Sequence, residues 1–254
     1  GDSITTGSYN TAVGGSALIT NSASNNNTAV GYTALQMCTS ASNTAVGYKA
    51  LQDCSTGSEN VAMGTGAAKD LTTATGCVAV GKDALNVATT SDYNVAIGHQ
   101  ALLAQTTGNN NVAVGRNALY ASTTGSHNTV MGASAAAYAL TTGTYNTIIG
   151  CDAGQSITTG GNCTLLGNLA GTGSSPSGNI TTGSNIVVLG NNNVTDLYCA
   201  DTSISSSDKR DKTDITDFTK GLDIINSLRP VTYKRKPLSE YPQTFNAYNA
   251  NETE

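Results

Sequence analysis

Asn10 to Leu18 reads Asn-Thr-Ala-Val-Gly-Gly-Ser-Ala-Leu, Asn27 to Leu35 reads Asn-Thr-Ala-Val-Gly-Tyr-Thr-Ala-Leu, and Asn43 to Leu51 reads Asn-Thr-Ala-Val-Gly-Tyr-Lys-Ala-Leu. The glycine that closes this core recurs at Gly14, Gly31, Gly47, Gly64, Gly81, Gly98, Gly115, Gly132, Gly150, Gly167 and Gly190. Successive spacings are 16 to 18 residues until the last, which is 23, so the first 190 residues are one internal repeat. Fixed-period repetition of a short unit is the mark of a solenoid whose coils stack on one another.

A second punctuation mark, Thr-Thr-Gly, precedes the core, for example at Thr106-Thr107-Gly108, Thr123-Thr124-Gly125 and Thr141-Thr142-Gly143. Each repeat therefore carries two turns, for which glycine supplies positive φ and Asn or Ser supplies side-chain bonds to the turn backbone. Only about five residues remain between turns, enough for a short strand and too few for a helix. Those segments alternate branched and small residues, as in Val61-Ala62-Met63, Val95-Ala96-Ile97 and Val112-Ala113-Val114. The pattern predicts that the branched face fills a narrow interior column and that alanine lets a second layer approach. Stacked about 4.8 Å apart, the coils would form a rod on the order of 50 Å long.

The core Asn-x-Ala-Val/Ile-Gly-x-x-Ala resembles the head repeat of YadA-like trimeric adhesins, which also occurs in phage tail fibres. The resemblance covers residues 1 to about 190. It implies an all-β, left-handed parallel β-roll in which three identical chains lie side by side, with a surface used for attachment. The 17-residue coil is longer than the usual head repeat, and a leucine regularly follows the second alanine, which points to an enlarged turn. The long spacing between Gly167 and Gly190 holds Gly171 to Gly178, read as a loop inserted into the final coil.

Composition narrows the function classes. Of 254 residues 5% are aromatic, 11% are charged and none is Trp, too few bulky side chains for one spherical enzyme core. The apolar share is nevertheless 38% at a net charge of -5, which lacks the signature of disorder. That net acidity argues against nucleic-acid binding. No apolar run is long enough to span a bilayer as a helix. Residue 1 is Gly within the repeat pattern, as expected of an excised chain.

Single residues that tempt a functional reading have weaker support. Cys38 and Cys54 both lie seven residues after a core glycine and should stack on consecutive coils; small buried thiols and one stacked disulfide both remain open. Cys77 and Cys163 replace the motif asparagine. No CxxC pair occurs, and His99 and His127 lack ligand partners at metal spacing, so neither metal nor cofactor is expected. Tyr32 and Tyr48 follow core glycines and should align on adjacent coils, as surface decoration or as rings that stack on sugar or protein. Asp53, Glu59, Asp70, Asp83, Asp92 and Asp152 form no acid/base pair by spacing.

A different kind of sequence starts near residue 200. Residues 1 to 200 hold 12 charged side chains, whereas the shorter stretch 201 to 254 holds 17. The domains are accordingly a repeat region at 1–198, a linker at 199–206 and a C-terminal α+β segment at 207–254. Asp217 is a suitable N-cap for an amphipathic helix over 218–228, Pro230 ends it, and 231–234 has strand character. Ser207, Asp208, Arg210 and Lys212, followed by Leu228, Pro230, Val231 and Tyr233, resemble the opening of the intramolecular chaperone domain of endosialidase-type tailspikes, the peptidase S74 family. The 48 residues from Ser207 correspond to its N-terminal part.

That resemblance implies a domain that trimerises, guides folding of the fibre and then releases itself with a Ser-Lys dyad. Ser207 would be the nucleophile and Lys212 the base, with Asp208 and Arg210 supporting and Ser206-Ser207 as the scissile bond. From the residues alone, a serine hydroxyl needs a base to attack an amide, and lysine serves only where burial lowers its pKa. The other reading of the same residues is a solvated charged loop before a helix.

Together these features predict a homotrimeric viral tail fibre or tailspike piece, assembled in the host cytoplasm and carried on the virion. Its partners would be itself and a host-surface glycan or protein, with no nucleic acid and no membrane insertion. The alternative is a cell-surface adhesin of the trimeric autotransporter type. A glycan-degrading tailspike and an ice-binding solenoid rank below both.

Overall fold

A computed structural model describes residues 6–134 and 136–196. The chain divides into two units, Gly1–Leu197 and Tyr198–Glu254. The linker, Cys199, the expected helix and strand, and Ser207, Asp208, Arg210 and Lys212 all lie outside the described residues.

Among the described residues the only regular elements are eleven three-residue strands. They are β1 (Thr11–Val13), β2 (Thr28–Val30), β3 (Thr44–Val46), β4 (Val61–Met63), β5 (Val78–Val80), β6 (Val95–Ile97), β7 (Val112–Val114), β8 (Thr129–Met131), β9 (Thr147–Ile149), β10 (Thr164–Leu166) and β11 (Val187–Leu189). They form one parallel sheet in chain order, each strand paired with the next coil in register, as Ala79 with Ala96 and Ala96 with Ala113. The fold is thus an all-β solenoid, and at the usual strand spacing its sheet runs about 48 Å from β1 to β11.

The interior reverses the orientation that the strand sequences predict. In every strand from β2 onward the central residue is buried, and both branched neighbours are half-buried or exposed. The cause lies across the coil. Leu18, Leu35, Leu51, Leu85, Leu102 and Leu119 fill the core, so only alanine fits at the facing strand centre. Where that leucine becomes Ala137, Gly154 or Gly171, the strand centre enlarges to Val130, Ile148 or Leu165. Contact is direct, since a Cβ on Gly154 would lie 3.0 Å from the Ile148 Cδ1. A third column, the residue before Thr-Thr-Gly or its equivalent, joins the exchange: Leu71, Leu140, Ile157 and Ile180 appear beside Ala68, Ala137, Gly154 and Gly171. Beside the leucines that column instead holds Cys38, Cys54, Ala88, Gln105 or Ser122. Each coil keeps close to one interior volume, as tight packing requires.

The motif asparagine is structural and buried. Asn128 Oδ1 accepts the backbone N–H of Asn146 at 3.0 Å, while its Nδ2 donates to the Gly143 carbonyl at 2.9 Å. The same pair of bonds is made by Asn43 and Asn111, giving a ladder that satisfies buried backbone from coil to coil. The Thr-Thr-Gly threonines form a second ladder, Thr106 Oγ1 donating to the Thr123 carbonyl at 2.9 Å.

The two glycine classes differ. Core glycines such as Gly81 have φ of +129°, whereas the Thr-Thr-Gly glycines do not take positive φ. Gly125 is required by space alone, because a Cβ there would sit 2.6 Å from the Gly143 carbonyl oxygen. Much of the remaining turning is done by non-glycine residues in the left-handed region; in one coil these are Tyr93 (φ 55°), Gln100 (φ 57°) and Leu102 (φ 51°).

Candidate functional site: the outer columns of the solenoid

Because residues repeat by column, function on this scaffold is written in columns as well. The third strand position faces outward and is apolar in all eleven strands: Val13, Val30, Val46, Met63, Val80, Ile97, Val114, Met131, Ile149, Leu166 and Leu189. Met63 is 48% exposed, Met131 43% and Ile149 40%. A contiguous exposed apolar stripe of this length is uncommon on a single chain, unlike single exposed residues.

Aromatic columns lie beside the sheet. Tyr32 and Tyr48 stack as their shared position after the core glycine predicts, with ring centroids 5.9 Å apart, and Lys49 Nζ lies 5.3 Å from the Tyr48 ring. Two further stacks escaped the sequence reading: Tyr120 with Tyr138 at 4.8 Å and His127 with Tyr145 at 4.9 Å. Their signal was available, because His127 and Tyr145 each immediately precede a motif asparagine.

The cysteines pack as thiols. Cys38, Cys54, Cys77 and Cys163 are buried and free, with no disulfide between Cys38 and Cys54. A hydrogen bond from the Cys54 thiol draws Cys38 down to about 6, and the same bond together with burial pushes Cys54 strongly up. Burial pushes Cys77 up to about 11, which keeps it a neutral thiol donating to the Ser91 carbonyl at 3.0 Å. Cys77 thereby replaces the amide donor of the asparagine ladder.

The carboxylates offer little chemistry. Asp53 and Asp70, one 17-residue repeat apart, are brought together on adjacent coils, but Lys69 bridges them with Nζ 3.9 Å from Asp53. Partial burial and the neighbouring Asp70 raise the Asp53 pKa, against the pull of Lys69. Among the described residues no three His, Cys, Asp or Glu side chains cluster as metal ligands. Also among them, no helix is long and apolar enough to cross a membrane.

Residues 207–251 match the family described as chaperone of endosialidase. The match begins at Ser207, where the Ser-Asp-x-Arg-x-Lys segment starts. No curated protein matches the chain, and neither does any solved structure.

Proposed function

We propose that this chain is part of a trimeric viral fibre or tailspike, with the solenoid as its attachment body and the C-terminal segment as a self-releasing assembly chaperone. The observation that carries the reading is the order of parts along one chain: an eleven-strand solenoid followed directly by the match to a chaperone of endosialidase. The outward apolar stripe supports trimerisation, since two further copies would cover surface that a single chain leaves wet. Buried free thiols support assembly in a reducing compartment such as the host cytoplasm.

In this reading the Ser207 hydroxyl attacks the carbonyl carbon of Ser206 and gives its proton to the neutral amine of Lys212. The Lys212 ammonium returns that proton to the Ser207 nitrogen as the C–N bond breaks, so the Ser206-Ser207 amide is exchanged for an ester on the Ser207 oxygen, which water hydrolyses to the Ser206 carboxylate and the free Ser207 hydroxyl. Lysine becomes neutral only when desolvated, so burial between folded chains would couple cleavage to completed assembly, with Asp208 and Arg210 as supporting charges. No external substrate is involved.

Intact mass under denaturing conditions tests the proposal, with the full natural sequence expressed beside a Ser207→Ala variant. The wild-type solenoid product is expected to end at Ser206 and the variant to remain whole. Two intact chains, or two cleaved ones, would remove Ser207 from the nucleophile role.

A further inference from the structure

The column that precedes the buried asparagines carries residues its backbone does not favour. Tyr93, Asn110, His127, Tyr145, Asn162 and Asn185 occupy equivalent positions in successive coils, all with φ between 54° and 60°. This left-handed region suits Asn and Gly and penalises bulky side chains. Asn26, Asn110, Asn162, Asn185 and Gly76 follow that rule, whereas Tyr9, Ser42, Glu59, Tyr93, His127 and Tyr145 break it, the last three as a run of rings over four coils.

Packing does not offset the strain. Tyr93 is 58% and Tyr145 61% exposed. The Tyr93 ring lies over Gly76, where a Cβ would come within 2.7 Å of it. His127 and Tyr145 are nearly parallel, 17° apart, with centroids separated by 4.9 Å. Rings in contact at about 3.5–4.0 Å must then be slid past one another, which leaves part of each face uncovered. Local rules broken without structural gain are expected at functional sites.

We propose that this column binds an extended, uncharged oligosaccharide lying along the solenoid axis, a specification that rests on the attachment reading above. Three observations select that ligand class. Partly uncovered rings and exposed amides present the mixed apolar and hydrogen-bonding surface that sugar rings require. Fixed charge is sparse: Glu59 is the one charged residue of this column, two coils before Tyr93, and from Tyr93 to Thr195 only Arg116 and Asp152 carry charge, one and two residues after core glycines and not in this column. Asp92, beside Tyr93, is tied to the scaffold by accepting the Thr75 backbone N–H at 2.8 Å. Finally, the rungs are one coil apart, joined by bonds such as Tyr145 N–H to the Ser126 carbonyl at 3.2 Å. That step is close to the advance of one sugar along an extended chain, and Tyr93 to Tyr145 spans about 14 Å, three such steps.

The test replaces the three rings with the residue the backbone prefers, Tyr93→Asn, His127→Asn and Tyr145→Asn together in the full chain. Binding is measured by calorimetry with maltohexaose, cellohexaose and chitohexaose, and with hexagalacturonate as the charged comparator. The wild type is expected to bind at least one neutral hexamer. The triple variant should bind it at least tenfold more weakly while melting at the same temperature or higher. Absence of neutral binding, preference for the charged hexamer, or equal binding by the variant would overturn the proposal, as would burial of the column between chains. Oligomeric mass and Ser207-dependent cleavage of the same proteins report on the underlying reading. Their loss in the wild type refutes that reading, whereas their retention with no effect of the triple variant refutes the sugar column alone.

Discussion

Substituting Gly81 by alanine is expected to remove the cooperative thermal transition of the solenoid. Two costs add at this residue. Its φ of +129° is a conformation that a Cβ-bearing residue reaches only with strain, roughly 1–3 kcal/mol. The new Cβ would also lie 2.6 Å from the Gly98 carbonyl oxygen and 2.7 Å from its carbon. Gly98 cannot step back, because it stacks on Gly115 in the same way, with a Cβ-to-oxygen approach of 2.5 Å. The total is on the order of 4 kcal/mol or more, a large share of the stability of an ordinary domain. Far-UV circular dichroism during heating reads the effect, and an unchanged melting temperature would contradict the stacked-glycine geometry.

Asn128→Leu is expected to destabilise by roughly 2–4 kcal/mol, because it orphans two buried groups at once: the Asn146 N–H and the Gly143 carbonyl. Leucine keeps the heavy-atom count and branching of asparagine and opens no cavity, so the loss reports on the unmade hydrogen bonds and on the fit of the two bulkier methyl groups. Asn128→Cys should cost clearly less, since Cys77 and Cys163 already occupy this column and their thiols donate to the Ser91 and Gly183 carbonyls. Chemical denaturation of the two variants gives the comparison, and equal losses would show that the amide bonds contribute little.

The architecture was legible because glycine recurs at a nearly constant interval and leaves room only for short strands. Which strand face turns inward was not legible from alternation, because Val95-Ala96-Ile97 alternates equally well in either orientation. The deciding fact is Leu102, whose side chain already occupies the interior and leaves only space for Ala96. Reading the columns together exposes the exchange, since Gly154 makes sense only beside Ile148 and Ile157. Glycine chemistry was half legible in the same way: positive φ explains Gly81, but Gly125 is small because the Gly143 carbonyl approaches it.

The candidate sites divide similarly. Tyr32 and Tyr48 were found because they are indexed by the core glycine, whereas Tyr93, His127 and Tyr145 are indexed by the motif asparagine and looked unrelated. Asp53 and Asp70 share one offset, six residues after Gly47 and Gly64, and their pairing shows only when the repeat register is followed in place of the spacing expected of an acid/base pair. Ser207 and Lys212 are recognised through sequence resemblance and the match over residues 207–251, which is a statement about family and not about geometry.

The outward stripe is where fold and proposed function meet. Thr or Val at the first strand position and Val, Ile, Met or Leu at the third would suit a monomer poorly, yet the choice persists through eleven strands. Sedimentation equilibrium of the wild-type chain, beside an Ile97→Asp/Met131→Asp variant, tests the account most directly. A solution mass three times that of the constituent chain, falling toward one in the variant, is the predicted result. A wild-type mass equal to a single chain at micromolar concentration would contradict the trimeric fibre.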